Sequence, residues 1–230
     1  MNSTRVDNKY CLPIIKKKRA EIQAAIEENL STFRYFEVWL DYIEDLDPGF
    51  AASLVGLFPH RLILVFRRQN LDPMKLTVEE RYQILKTLAR KQVLVDLDIT
   101  TQTEELSRLQ SDRIPLKTIL SYHNYSFTPS DTELRSLIAR MEGLGAHIIK
   151  ISTHCSTQRD ALRLLSLLIE MRESGRKCII LGMGKHSVIT RVFGTLWGNT
   201  MVFAPVTTAT KSAPGQITVD KLDSIMQALG

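Results

Sequence analysis

Apolar residues along this chain fall into two alternating kinds of segment, short β-branched runs and stripes spaced three and four apart. Tyr10-Cys11-Leu12-Pro13-Ile14 reads as a short strand. From Arg19 to Leu30 the apolar positions Ile22, Ala25, Ile26 and Leu30 have helical spacing. A strand follows over Phe33 to Leu40, then a short helix over Ala51 to Leu57 that starts at Asp47-Pro48-Gly49, then a strand over Arg61 to Phe66. Thr77-Val78-Glu79-Glu80 has the form of a capping box and opens a helix that runs to Leu88. Gln92 to Leu97 reads as a strand and Glu104 to Leu109 as helix. Leu116 to Ser121 is the fifth strand, and Ser130 caps a helix that reaches Met141 and stops at Gly143 and Gly145. His147 to Ile151 is the sixth strand. Thr157 to Arg172 is amphipathic, with Leu162, Leu165, Leu168 and Ile169 expected on one face and Gly175 as its stop. Lys177 to Leu181, helix Val188 to Phe193, strand Thr200 to Phe203 and helix Val219 to Leu229 complete the series.

This pattern predicts eight strand–helix units with no linker and no break in composition. Strict alternation argues for parallel strands with helices packed outside them. Eight units in 230 residues fit a (β/α)8 TIM barrel near its lower size limit, one catalytic domain spanning residues 1–230. A doubly wound open sheet is the alternative, but no strand is followed by the glycine-rich turn of a dinucleotide site. No solenoid-type repeat is present.

The chain is 44% hydrophobic and 24% charged, enough for an ordinary globular core. Its net charge of +5 adds little to the picture. The largest basic cluster, Lys16-Lys17-Lys18-Arg19, opens a helix and is followed by Glu21, Glu27 and Glu28. No aromatic residues interleave it, so it reads as a solvated face and a nucleic-acid partner is not expected. Cys11, Cys155 and Cys178 are an odd number without metal-ligand spacing, so a disulfide framework is not expected and a reducing cytoplasm is the default location. Segment 1–19 lacks the apolar core of a signal peptide, and no apolar run reaches the roughly 18 residues of a membrane span.

The candidate chemistry lies between Ser121 and Ser156. His123 and Lys150 each stand at the end of an apolar run, on strands separated by one helix. That places them on neighbouring parallel strands near the C-terminal edge, where α/β proteins carry their chemistry. A histidine beside a lysine there suggests a proton carrier next to an amine nucleophile. A free lysine is almost wholly protonated at neutral pH, so desolvation and nearby arginines are expected to lower the pKa of Lys150. The plain structural alternatives are a surface lysine and a hydrogen-bonded core histidine.

Several segments in fixed order sharpen this reading: Ser121-Tyr122-His123, Thr128-Pro129, Gly145-Ala146-His147-Ile148-Ile149-Lys150-Ile151, Asp160-Ala161-Leu162-Arg163-Leu164-Leu165, Gly182-Met183-Gly184, Thr190-Arg191 and Ser212-Ala213-Pro214-Gly215-Gln216. With them the chain resembles the type I 3-dehydroquinate dehydratases, Schiff-base enzymes of the shikimate pathway. The resemblance implies a (β/α)8 barrel, commonly a homodimer, that dehydrates 3-dehydroquinate to 3-dehydroshikimate and needs no metal or added cofactor. It implies that Lys150 forms an iminium with the C3 ketone, and that His123 removes the C2 proton and then helps the C1 hydroxyl leave. The substrate is an anionic cyclic hydroxy keto acid, so the resemblance also assigns Arg191 to its carboxylate, a contact that suits a guanidinium fork. By the same resemblance, Glu37 and Arg67 bind polar groups of the ring, Met183 and Phe203 form apolar walls, and Ser212 and Gln216 lie on a lid loop.

Three departures from the family pattern bear on function. The family reads Glu-x-Arg where this chain has Glu37-Val38-Trp39, so Trp39 removes a polar group and fills space. The family's histidine-orienting glutamate falls at Leu71; Asp72, one residue on, is the candidate replacement, against a plain Asp-Pro turn. Ser152-Thr153-His154-Cys155 is polar where the family is apolar, and strand alternation points His154 to the same side as Lys150, a candidate second proton carrier. Two other readings stay open: a Schiff-base lyase acting on a modified keto acid, and a catalytically impaired barrel that binds a metabolite or a partner.

Overall fold

The computed structural model describes residues 9–69, 72–213 and 215–229. Eight parallel strands form one sheet in the order β7-β6-β5-β4-β3-β2-β1-β8, so the last strand returns to the side of the first. The strands are β1 Tyr10–Ile14, β2 Tyr35–Trp39, β3 Leu62–Val65, β4 Leu94–Asp98, β5 Lys117–Asn124, β6 Ile148–His154, β7 Cys178–Met183 and β8 Val202–Phe203. The helices between and after them are α1 Arg19–Glu27, α2 Pro48–Leu57, α3 Val78–Thr87, α4 Thr103–Ser111, α5 Asp131–Gly143, α6 Gln158–Glu173, α7 Val188–Trp197 and α8 Val219–Ala228. This is the expected TIM barrel, nearly closed.

The seam between β7 and β8 is held without a regular ladder. Thr200 N–H donates to the Cys178 carbonyl at 2.8 Å. The buried Asn199 side chain brackets Ile180, accepting its N–H at 2.7 Å and donating to its carbonyl at 3.0 Å. A side-chain amide thus stands in for a strand partner, which is why β8 is only two residues long. Gly194 makes room for it, since a Cβ there would meet Asn199 Nδ2 at 2.5 Å.

Helix starts follow local chemistry. Thr77 with Glu80, Ser130 with Glu133 and Thr157 with Asp160 form reciprocal capping boxes. Asp47 caps α2 by accepting from Phe50 N–H at 2.8 Å, with Pro48 at the first helical position. Several boundaries differ from the sequence pattern. α1 stops at Glu27, because the chain turns over Asn29 to Thr32. β5 and β6 run on to Asn124 and His154, because their ladder continues through His123↔Ser152 and Asn124↔Thr153. On α6 the face against the sheet is Ala161, Leu164, Leu165, Leu168 and Met171, while Leu162 and Ile169 are exposed. That leucine-rich helix has two apolar stripes, and the one carrying the small Ala161 is the one that packs.

Inward positions of the strands form layers with period two. The lower layer is apolar: Cys11, Ile63, Ile119, Ile148, Ile179 and Met201 fill the barrel. One step up the strands, the inward residues become Glu37, Asp96, Ser121 and Lys150, and another step brings Trp39, Asp98, His123 and Ser152. The larger apolar core lies between sheet and helices, from Ile22 and Phe36 to Leu168 and Leu222. A dry floor therefore carries a layer of charge at the C-terminal mouth.

Candidate active site

A pocket at this mouth is lined by Glu37, Trp39, Arg67, His123, Tyr125, Lys150, Ser152, Leu181, Met183, Arg191, Phe203, Ser212, Ala213 and Gln216. It gathers every candidate residue of the sequence reading except Asp72 and His154. Its free volume is about 50 Å³, room for a few waters.

Lys150 is 4% exposed and stands in the middle. Its Nζ donates to Asp96 Oδ2 at 2.7 Å and to Glu37 Oε1 at 3.3 Å, and lies 4.2 Å from the centre of the Phe203 ring. Burial pushes the amine pKa down, but the Asp96 and Glu37 carboxylates outweigh burial and the opposing Arg67, leaving it above the ordinary lysine value. The expectation of a lowered value is therefore corrected: the arginine is present, and two carboxylates exceed it. Glu37 is fixed on its other side, where Oε2 accepts from Trp39 Nε1 at 2.8 Å. So Trp39 fills part of the wall and also holds a carboxylate.

His123 lies between two groups that demand the same tautomer. Its Nδ1 is 2.9 Å from Asp98 Oδ2, an acceptor, so Nδ1 carries the hydrogen. Its Nε2 is 3.1 Å from Arg67 Nη1, a donor, so Nε2 carries the lone pair. Burial and then the Arg67 charge bring its pKa down to about 4, against the opposing pull of Asp98. The ring is thus neutral at neutral pH. For Asp98, burial pushes the carboxyl up, but hydrogen bonds from His123 and Thr100 bring it down to about 2. Thr100 N–H and Oγ1 donate to Asp98 Oδ1 at 2.9 and 2.5 Å, and Thr101 N–H at 3.2 Å. Tyr125 stacks on the imidazole with centroids 6.2 Å apart.

Asp98 thus occupies the place the sequence reading gave to Asp72. Asp72 is exposed, on the rim of a neighbouring cavity of about 460 Å³, and has no bond to His123. The strand holding Asp98 is rigid and neighbours β5, whereas Asp72 sits on the loop after β3. Leu71, at the family's glutamate position, lies outside the described residues. His154 does not line the pocket; its ring packs on Gly184, where a Cβ would meet it at 2.7 Å. The signal for Asp96 and Asp98 was present in the sequence, as Asp96-Leu97-Asp98 closing an apolar strand. Two carboxylates at alternate positions there must both point into the barrel.

Arg191 on α7 is buried, its Nη2 donating to the Gly182 carbonyl at 3.4 Å, and burial lowers its pKa to about 10, so it stays cationic. Gln216 Oε1 accepts from Ser212 N–H at 2.8 Å and its Nε2 donates to Ser212 Oγ at 2.9 Å, tying the loop after β8 over the mouth; Pro214 lies outside the described residues. Met183 and Phe203 are buried walls. Among the described residues no group of three His, Cys, Asp or Glu is arranged as a metal site, the three cysteines are buried free thiols, and no helix is long and apolar enough to cross a membrane.

The sequence pattern of the family described as type I 3-dehydroquinase matches residues 10–230. A 3-dehydroquinate dehydratase of Methanopyrus kandleri is 31% identical over 212 residues, covering 91% of this chain and 94% of its own length. One from Pyrococcus abyssi is 29% identical over 215 residues, with 91% and 94% covered. The crystal structure of a type I 3-dehydroquinate dehydratase from Clostridium difficile, with covalently modified comenic acid, superposes with a TM-score of 0.78 at 26% identity, over 96% of this chain and 92% of that one.

Proposed function

The chain belongs to the type I 3-dehydroquinase family, and from that premise we propose how it works: as a hydro-lyase it dehydrates 3-dehydroquinate to 3-dehydroshikimate, a step of the shikimate route to chorismate and the aromatic amino acids, through an imine on Lys150. The observation that carries the mechanism is the buried amine of Lys150 in the same pocket as a neutral, doubly anchored His123.

The Lys150 ammonium passes one proton to one of the two carboxylates beside it, and the freed Nζ attacks the C3 ketone. That proton moves on to the carbinolamine oxygen, and loss of water gives an iminium that draws electrons from the neighbouring carbon. The C2 proton becomes acidic and passes to His123 Nε2 once Arg67 turns its Nη1–H from the ring to the substrate. The imidazolium, stabilised by Asp98, returns the proton to the departing C1 hydroxyl. Hydrolysis frees the enone and regenerates the amine. Arg191 holds the substrate carboxylate, and Glu37 accepts a ring hydroxyl. Met183 and Phe203 exclude water, and the loop of Ser212 and Gln216 parts to admit a ring that the small closed pocket does not hold. No step requires a metal or an added cofactor. The same reading includes a homodimer in the cytoplasm; exposed Ile169, Leu196 and Trp197 on α6 and α7 are apolar surface that a second copy would cover. Light scattering on the purified protein checks this, with twice the chain mass expected.

The test of the activity is growth of conjugated-enone absorbance on adding 3-dehydroquinate, followed across pH. His123 acts as base only when neutral. Its pKa near 4 predicts that kcat/KM holds below pH 6 and falls only toward pH 4. An acid limb near an ordinary histidine value of about 6.5 would contradict the double anchoring. Stability has the same sign. The unfolded chain takes up this proton at about 6.5, so the contribution of neutral His123 is lost as pH falls from there toward 4.

A further inference from the structure

We propose that Asp96 is the counter-ion of the reacting nitrogen throughout the cycle, holding Lys150 as an ammonium in the resting enzyme and then neutralising the iminium that replaces it. This rests on the reading of Lys150 as the imine-forming amine.

Four observations carry it. Asp96 has no exposed surface, and its Oδ2 lies 2.7 Å from Lys150 Nζ. Its other oxygen, Oδ1, accepts from Ser121 Oγ at 2.5 Å and faces Arg67 Nη2 at 3.4 Å, so the carboxylate cannot turn away from the amine without leaving two donors. Second, the other carboxylate, Glu37, is farther at 3.3 Å and is shared with the Trp39 indole. Third, Asp96 is inward on β4 and two strands from β6, so rigid sheet fixes the distance. Fourth, the charge on nitrogen is the same before and after condensation. Ammonium plus ketone gives iminium plus water: one proton moves from nitrogen to the carbinolamine oxygen and a second leaves on it as water. Nothing is released to solvent, so a carboxylate paired with the ammonium stays paired with the iminium.

The geometry also predicts a division of labour. An ammonium has three N–H donors, directed here to Asp96, to Glu37 and toward the Phe203 face. An iminium keeps one. The nearer and more firmly held acceptor, Asp96, retains it, and Glu37 Oε1 is released to accept a substrate hydroxyl. Formation of the covalent bond thus completes the hydroxyl-binding side of the pocket.

Other ionisable groups around Lys150 do not supply this function. Arg67, beyond β3, is a cation that opposes its charge, and Arg191, on α7, is a cation on the wall of the same pocket. His123 on β5 is neutral, burial keeps the Cys11 thiol on β1 protonated, and burial likewise keeps the Tyr125 phenol after β5 protonated.

The test is the titration of Lys150, read from the ε-carbon resonance in lysine-labelled substrate-free protein, together with reductive trapping by cyanoborohydride and 3-dehydroquinate. In the wild type Lys150 is expected to stay cationic beyond the ordinary lysine range. In Asp96→Asn, which keeps the size and an acceptor for Ser121, the midpoint is expected to fall by at least one pH unit. A wild-type midpoint below the ordinary value overturns the proposal even where the variant does not fold, and so does a variant midpoint that stays unmoved. Wild-type protein that forms adduct on Lys150 with an unmoved titration sinks the role of Asp96 alone. Absence of adduct in the wild type sinks the imine reading and the proposal with it.

Discussion

Lys150→Met is expected to lower the dehydration rate by about 10⁴-fold or more, which corresponds to roughly 5 kcal/mol of lost transition-state stabilisation. Methionine has close to the length of the lysine stem and no amine, so it isolates the chemistry from packing. Without the iminium the C2 proton is an ordinary proton next to a ketone, and His123 with a pKa near 4 is too weak a base to remove it unaided. A second consequence follows from the charge layer. Asp96 is buried and loses its nearest cation, keeping Ser121 at 2.5 Å and Arg67 at 3.4 Å. Breaking a buried pair from one side costs about 3 kcal/mol, equivalent to a fall in Tm of roughly 6–12 °C for a chain of this size. Turnover and a melting curve on the same preparation check both. A fully active variant would refute the nucleophile, and a variant as stable as the parent would refute the charge pair.

Asp98→Asn is expected to lower turnover by about 10²–10⁴-fold while leaving imine formation at Lys150 in place. The reason is the hydrogen-bond count. Oδ1 of Asp98 accepts from both Thr100 and Thr101, so in the variant the amide oxygen must stay on that side. The amide NH2 then faces His123 Nδ1 and donates to it. That forces the hydrogen onto Nε2, against the Arg67 donor 3.1 Å away. The reverse amide orientation restores the tautomer but sets NH2 against the Thr100 and Thr101 donors. Either way the lone pair that should take the C2 proton is lost or poorly populated. Reduced adduct on Lys150 with little product is the expected pattern. Equal loss of adduct and product would mean that Asp98 acts on folding instead of on the imidazole.

Much of this molecule is readable from the order of its residues, and what is not has physical causes. The barrel follows from local signals, alternating apolar runs and capping boxes, that need no knowledge of distant contacts. Lys150 and His123 could be assigned to adjacent strands because one helix separates them, and the ladder pairs Ser121 with Lys150. The partners of the two residues were harder to see. Asp98 meets His123 only through the register of β4 on β5, where Asp98 stands opposite Ser121 and one inward step below the histidine. The family pattern points to the loop at Asp72, although the Asp-Leu-Asp alternation at the end of β4 places two carboxylates inside the barrel. The protonation of Lys150 is a sum over charges from β2, β4 and the turn after β3, and no local window contains that sum. On α6 the phase is ambiguous in the sequence because leucines occupy both stripes, and only contact with the sheet distinguishes Leu165 from Leu162.

The central claim is a covalent bond between Lys150 and the substrate carbonyl carbon, and peptide mass spectrometry after borohydride reduction in the presence of 3-dehydroquinate tests it most directly. The account predicts a single reduced adduct, on the peptide that carries Lys150, in protein that makes enone when borohydride is omitted. Folded protein with no adduct, or with the adduct on another lysine, would contradict it.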